Sequence, residues 1–299
     1  MIILMYSFRI AISAGLAALM MCLLFAGSEP GFAANSSGTP QTIGKSVKGR
    51  AIVATHRGPE SAPVRIVVLG QMHGNERAGR RIVSLLQTRV LPAHVQLWLI
   101  STVNPDGAVL GTRRNANKVD INRNFPSQWR TSKKRSPYYP GPSVASEPET
   151  QSLMAFLSEV KPTAVLSFHQ AYGMVDDPYP RGHAAAKKFG ALLGLPTGIV
   201  PCRGVCRGTM TAWVNSELQA IGLTVELRSK VTPAGAQRAA SAVIGLAAWL
   251  AGTPVPTPAL TPAPEPTASP TPTPIPTQDP NFVPAPTPSL IPPEPADLQ

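Results

Sequence analysis

From residue 51 onward, short apolar runs alternate with longer segments whose apolar residues recur every three or four positions. "AIVATH" (51–56), "VRIVVLG" (64–70), "VQLWLISTV" (95–103), "TAVLSFH" (163–169) and "LTVEL" (223–227) read as strands. Ile66, Val67, Val68 and Leu69 are apolar without alternation, which predicts a strand buried on both faces. Between the runs, "RAGRRIVSLLQTRVL" puts Ile82, Leu85, Leu86 and Val90 on one helical face. "EPETQSLMAFLSEV" predicts a second helix, with Ser146 and Glu149 as a capping box at its start. "GHAAAKKFGALLGL" predicts a third, and "GTMTAWVNSELQAIG" a fourth that ends at Gly222. The last begins at Thr232–Pro233, and its apolar run from Ala239 to Gly252 is too short for a membrane span, so it reads as a core helix. "NPDG" (104–107) reads as a turn, and a long loop rich in Arg, Asn and Pro follows from Gly107 to Ala145. Strand–helix alternation of this kind predicts an α/β fold, a three-layer sandwich around a mixed, largely parallel sheet.

Both ends depart from this pattern. Residues 1–33 carry one basic residue, Arg9, then an apolar stretch from Ile10 to Phe25 and small residues at Gly31 and Ala33. That is the layout of a cleaved secretory signal, with a retained membrane anchor as the alternative. Cys22 would leave with the signal. From Thr253 to Gln299, 17 of 47 residues are Pro and none is Lys or Arg. Such a segment cannot bury enough apolar surface to offset its ordering entropy, which predicts a disordered, extended tail. A single domain over residues 36–252 remains, and it is large enough for a sizeable core.

Charge is concentrated in that domain. The chain is +11 overall, and the tail contributes only four acids, so residues 1–252 carry +15. For an exported protein this points to an anionic substrate or surface, although plain solubility would also account for it. Nucleic acid is disfavoured, because no basic stripe is interleaved with aromatics. Cys202 and Cys206, in "PCRGVCRG", are the cysteines left after signal removal and are expected to form a disulfide around a tight loop. Two cysteines exclude a four-cysteine zinc site.

Three strands end in polar groups that packing does not require. "VVLGQMHGNE" supplies His73 and Glu76, "AVLSFHQ" supplies His169, and "LTVELR" supplies Glu226. In open α/β sheets, ligand sites lie beyond such carboxyl ends. Two His and one Glu form a donor set suited to one catalytic zinc ion. A carboxylate inside the apolar run Leu223–Leu227 is costly to bury unless it is paired or functional.

On these motifs the chain resembles the zinc carboxypeptidase family. "HGNE", "NPDG", "GTRRNANKVDINRNFP" (111–126), "SEPET" (146–150), "SFH" (167–169) and "TVEL" (224–227) occur in the family's order. The pattern is most similar to the small bacterial branch that includes murein peptide amidases, which cut the γ-D-glutamyl–diaminopimelate bond. The resemblance implies that His73, Glu76 and His169 bind one zinc ion per chain, while Asp120 takes the other ring proton of His73. It further implies that Arg113 faces the developing oxyanion, with neighbouring Arg114 as the alternative. Asn122 and Arg123 would hold the substrate carboxylate, and Glu226 would act as general base. The chain departs from the family where a mobile tyrosine is expected, since "PCRGVCRGTMTAW" contains none. The disulfide loop is expected to present Arg203 or Arg207 to an acidic substrate instead. Tyr138 and Tyr139 read as packing residues.

The expected protein is thus a secreted or wall-associated zinc peptidase acting on peptides or muropeptides, without a stable membrane anchor. The competing readings are a general metallocarboxypeptidase, an N-acyl amino acid deacylase and a non-catalytic wall-binding protein.

Overall fold

The structure is a computed structural model that describes residues 37–202 and 204–252. The proposed signal, the Pro-rich tail and Arg203 lie outside the described residues. Strands are β1 (Ser37–Lys45), β2 (Ala51–Arg57), β3 (Val64–Leu69), β4 (Val95–Ile100), β5 (Ala164–Asp176), β6 (Thr197–Gly198) and β7 (Ile221–Arg228). Helices are α1 (Ala78–Leu86), α2 (Pro105–Leu110), α3 (Pro148–Val160), α4 (His183–Leu193), α5 (Met210–Ser216) and α6 (Pro233–Leu250). A short 3-10 turn spans Ile121–Arg123. Among the described residues no helix is long and apolar enough to cross a membrane.

The strands form one mixed sheet in the order β1-β2-β4-β3-β5-β6, with β7 also paired to β5. The β1–β2 and β2–β4 pairs are antiparallel, and the β3–β4 and β3–β5 pairs are parallel. Alternate residues of each central strand feed two separate cores. Ile66, Val68, Leu166, Phe168, Leu223 and Val225 pack with Ile82, Phe189 and Val243 of α1, α4 and α6. Val67, Leu69 and Val165 pack with Leu153, Phe156 and Trp213 of α3 and α5. This is the predicted three-layer arrangement, and it explains why the central strands are apolar at successive positions.

The sheet is unusual where β5 meets β7. Pairing runs forward from Ala164 opposite Ile221 to Gln170 opposite Leu227. The register then reverses, with Met174 opposite Glu226 and Asp176 opposite Thr224. Glu226 is therefore flanked by His169 on one edge and Met174 on the other, and Thr224 by Ser167 and Asp176. A strand residue has only two edges, so β5 must turn back around the end of β7. The turn-back includes Gly173, whose φ of +70° lies in the left-handed region that glycine adopts without strain. The return arm then pairs with β6.

Several local expectations are corrected. "NPDG" opens the short helix α2, with Asn104 Oδ1 accepting the Gly107 N–H at 2.9 Å. The predicted capping box does not form. Glu147 occupies the N-cap position of α3, Ser146 Oγ donates to Glu147 Oε1 at 2.7 Å, and Glu149 instead accepts from Val47 N–H and Asn115. The helix expected to reach Gly222 stops at Ser216, because Ile221 and Gly222 are recruited into β7. Strand β1 comes from a segment that reads as merely polar, and β5 extends seven residues past His169.

Candidate active site

His73 and Glu76 lie in the turn between β3 and α1, where the Glu76 N–H donates to the His73 carbonyl at 3.0 Å. The loops meet tightly here: a Cβ on Gly74 would fall 2.1 Å from the Gly107 carbonyl oxygen, so only glycine fits in "HGNE". His169 projects from β5. His73 Nδ1 lies 2.8 Å from Glu76 Oε1 and 3.1 Å from His169 Nδ1, and His169 Nδ1 lies 2.9 Å from Glu76 Oε2. All three side chains are buried, and a donor atom from each lies within 4.8 Å of the others.

This donor set fits zinc. Tetrahedral coordination at about 2.0–2.1 Å places nitrogen donors roughly 3.3 Å apart, close to the separation of the two Nδ1 atoms. The far nitrogens are already engaged, His73 Nε2 by Asp120 Oδ1 at 3.0 Å and His169 Nε2 by Ser167 Oγ at 3.1 Å. Those contacts fix each ring so that Nδ1 faces the common centre. Burial alone would raise the Glu76 carboxyl, but His169 and His73 outweigh it and hold it far below the usual carboxylate range. An anionic carboxylate with two oriented imidazoles is the chemistry of a divalent cation site.

Asp120 is the hub of the neighbouring network. It is fully buried and accepts from His73, from the Asn122 N–H at 3.1 Å, and from Arg113 Nε and Nη2 at 2.9 and 2.8 Å. The fork clamps the Arg113 guanidinium beside the His73–Glu76–His169 cluster, with Nη1 3.4 Å from Glu76. Arg114 turns away to the carbonyls of Lys134 and Ser136. Of the two arginines, Arg113 is the one that faces the cavity.

Asn122 and Arg123 follow on the 3-10 turn. Asn122 Oδ1 accepts the Met210 N–H of α5 at 3.0 Å, which leaves its amide nitrogen as a donor. Arg123 is 6% exposed, and its Nη1 donates to the Asn122 carbonyl while buried Nε has no partner. Gly208 carries this turn. Its φ is +62°, and an added Cβ would lie 2.3 Å from the Arg123 carbonyl oxygen.

Glu226 stands beside His169 on β7. Its Oε2 is buried without a hydrogen-bond partner. Burial pushes the carboxyl above its ordinary value; His169 and the Tyr172 N–H oppose the shift, and Glu76 adds to it. A carboxyl that binds its proton more readily than an exposed one suits proton transfer.

His73, Glu76, His169, Arg113, Asn122, Arg123 and Glu226 line one cavity of about 500 Å³ on the α5 side of the sheet. Cys202 and Cys206 form the expected disulfide, with Cα atoms 5.4 Å apart, and both line the same cavity. Arg207 does not face it. That side chain borders an adjoining cavity of about 340 Å³ with Arg130 and Tyr138. Tyr139 is buried as expected, but Tyr138 is not a packing residue. It lines both cavities, and its ring centroid lies 5.2 and 5.5 Å from the guanidinium carbons of Arg113 and Arg123. Sequence reasoning also missed Asp176, Thr209, Thr211 and Thr224 on the cavity wall. A signal existed for Asp176, the one acid on the strand that carries His169. It becomes readable only when β5 is known to turn back.

Comparison with known proteins agrees with this geometry. A family model described as zinc carboxypeptidase matches residues 34–192. Murein peptide amidase A of Vibrio campbellii is 35% identical over 203 residues, which is 63% of this chain and 79% of that protein. Murein peptide amidase A of Escherichia coli K12 is 32% identical over 124 residues, 38% of this chain and 51% of that protein. Among solved structures, murein-tripeptide amidase from Escherichia coli O157 superposes with a TM-score of 0.57 at 25% identity, covering 70% of this chain and 92% of that one. Carboxypeptidase A from Helicoverpa armigera gives 0.60 at 18% identity over 72% and 70% of the two chains, a likeness of fold.

Proposed function

The chain belongs to the zinc carboxypeptidase family, and we propose that it is a secreted amidase of murein peptides that cuts the γ-D-glutamyl–diaminopimelate bond. Membership makes it a metallo-hydrolase. The observation that carries the proposal is the meeting of His73, Glu76 and His169 with the unpartnered carboxylate oxygen of Glu226 in the cavity that also holds Arg123. Two relatives named as murein peptide amidases support the substrate class. The signal-like residues 1–33 and the basic charge of the domain support export and an acidic wall substrate.

In this reading His73, Glu76 and His169 hold zinc, which when bound supplies a Lewis acid and makes a water molecule acidic enough to attack near neutral pH. Glu226 takes the proton of the attacking water and delivers it to the leaving amine. Arg113, held rigid by Asp120, donates to the oxygen on which negative charge develops; one such donor is worth roughly 3 kcal/mol. Asn122 and Arg123 hold the carboxylate of the leaving residue. No covalent intermediate is needed.

Digestion of purified muropeptides followed by mass spectrometry tests the proposal. The expected products are separated by cleavage at the γ-glutamyl link. Chelation abolishes the activity and added zinc restores it. Glu226→Gln keeps its zinc but loses activity by about 10²–10⁴-fold. Hydrolysis of ordinary peptides with intact muropeptides would refute the wall assignment.

A further inference from the structure

The cavity wall carries one carboxylate that the mechanism does not use. Asp176 sits on the return arm of β5, opposite Thr224. Residues level with one another on adjacent strands share a face, so Asp176, Thr224, Glu226 and His169 all point to the α5 side, and all four line the cavity. Thr211 of α5 reaches across to Thr224, their hydroxyls 3.2 Å apart. Asp176 is half-buried, and its Oδ1 accepts the Val200 N–H at 2.8 Å. It has no ion pair among the described residues. Its neighbour Asp177 differs, pairing with His183 at 2.6 Å.

The other charged groups of this wall have assigned work. Glu76 is tied to two imidazoles, Arg113 to Asp120, and Glu226 faces the reacting centre. Among the described residues, Asp176 alone is an acid of this cavity with neither a cationic partner nor a role in the proposed chemistry. Burial, with Glu226 and Asp177 adding to it, pushes its carboxyl up to about 6. A carboxylate placed so is poorly served by its own protein and is relieved by an incoming cation.

We infer that Asp176 is a specificity residue that receives an ammonium group on the side chain of the residue being released. This rests on the proposed orientation, in which Arg123 and Asn122 hold that residue's carboxylate. The cavity then offers a cationic end and an anionic wall, complementary to an aliphatic diamino acid. A threonine-lined space of about 500 Å³ accommodates such a chain. A purely apolar side chain would leave the acid desolvated and unpaired.

Two substrate pairs, whose members differ only by one amino group, test this in the wild type and in Asp176→Asn. One pair is acyl-γ-D-glutamyl-diaminopimelate against the 2-aminopimelate analogue. The other is an acyl peptide ending in lysine against one ending in norleucine. Asparagine keeps the acceptor for Val200 N–H and removes the charge. The wild type is expected to favour the amine-bearing member of each cleaved pair by about tenfold or more in kcat/KM, mainly through KM. In the variant that ratio falls towards one. Calorimetric titration of free diaminopimelate and 2-aminopimelate gives the same comparison without turnover. Equal treatment of the pairs by the wild type, or an undiminished ratio in the variant, would overturn the inference. Preference for lysine without cleavage of the murein pair would leave this assignment standing and remove the murein reading instead.

Discussion

Asp120 shows how one side chain can set several others. Burial opposes its ionisation, but His73 and Arg113 outweigh burial and keep it a carboxylate far below the usual range. Asp120→Asn should therefore weaken zinc binding by about 10–100-fold, measured by chelator competition, because the tautomer of His73 is no longer fixed. The same shift gives a pH dependence with a definite sign. A carboxyl whose folded value is depressed stabilises the fold above its unfolded value near 3.9, and that contribution begins to drain away there and is lost as pH falls on through the folded value. The melting temperature of the metal-free protein should drop between about pH 5 and 3, with a shallower slope in Asp120→Asn. Equal slopes would mean that Asp120 does not carry the effect. The residue types at the site are legible in the sequence, since His73, Glu76, His169 and Glu226 interrupt apolar surroundings. Tyr138 and Asp176 are not, because a tyrosine in a basic loop and an acid at a strand end have many ordinary fates.

At the scale of elements, the reversal of β5 around β7 makes the pocket. Strand β7 receives the arm that carries His169 on one edge and the arm that carries Asp176 on the other, so Glu226 and Asp176 share a wall although 50 residues separate them. Gly208 does similar service for the loop that carries Arg123. Gly208→Ala should cost about 1–3 kcal/mol, since alanine at positive φ is strained and its Cβ meets the Arg123 carbonyl. It should also raise KM, by moving the guanidinium. Thr232→Ala provides the contrast. Thr232 Oγ1 accepts the Gly235 N–H at 3.0 Å as the N-cap of α6, far from the chemistry. Its loss should cost about 1 kcal/mol in denaturant unfolding with kcat/KM unchanged. Periodicity located most elements but misplaced their ends. Glu149 was diverted to Asn115, and Ile221 and Gly222 were drawn into a strand, because tertiary partners outcompeted local signals.

For the whole molecule, the two cores enclose the sheet between α1, α4 and α6 on one side and α3 and α5 on the other, and the last helix ends at Leu250. A chain ending at Gly252 should therefore fold with an unchanged melting temperature and cleave soluble muropeptides at the same kcat/KM. A lower melting temperature would show that the Pro-rich segment packs on the domain. The sequence by itself determined the alternation of strands and helices, the double-sided burial of the central strands and the identity of the three side chains, His73, Glu76 and His169, that cluster in the cavity. Those properties live in local periodicity, or in polar residues that the hydrophobic effect would otherwise reject. Only the tertiary structure decided which arginine faces the cavity, where Arg207 points, that Tyr138 bridges two cavities and that Asp176 lies beside Glu226. These depend on loops closing and on a strand turning back upon its neighbour, and such contacts between distant residues leave no period in the chain.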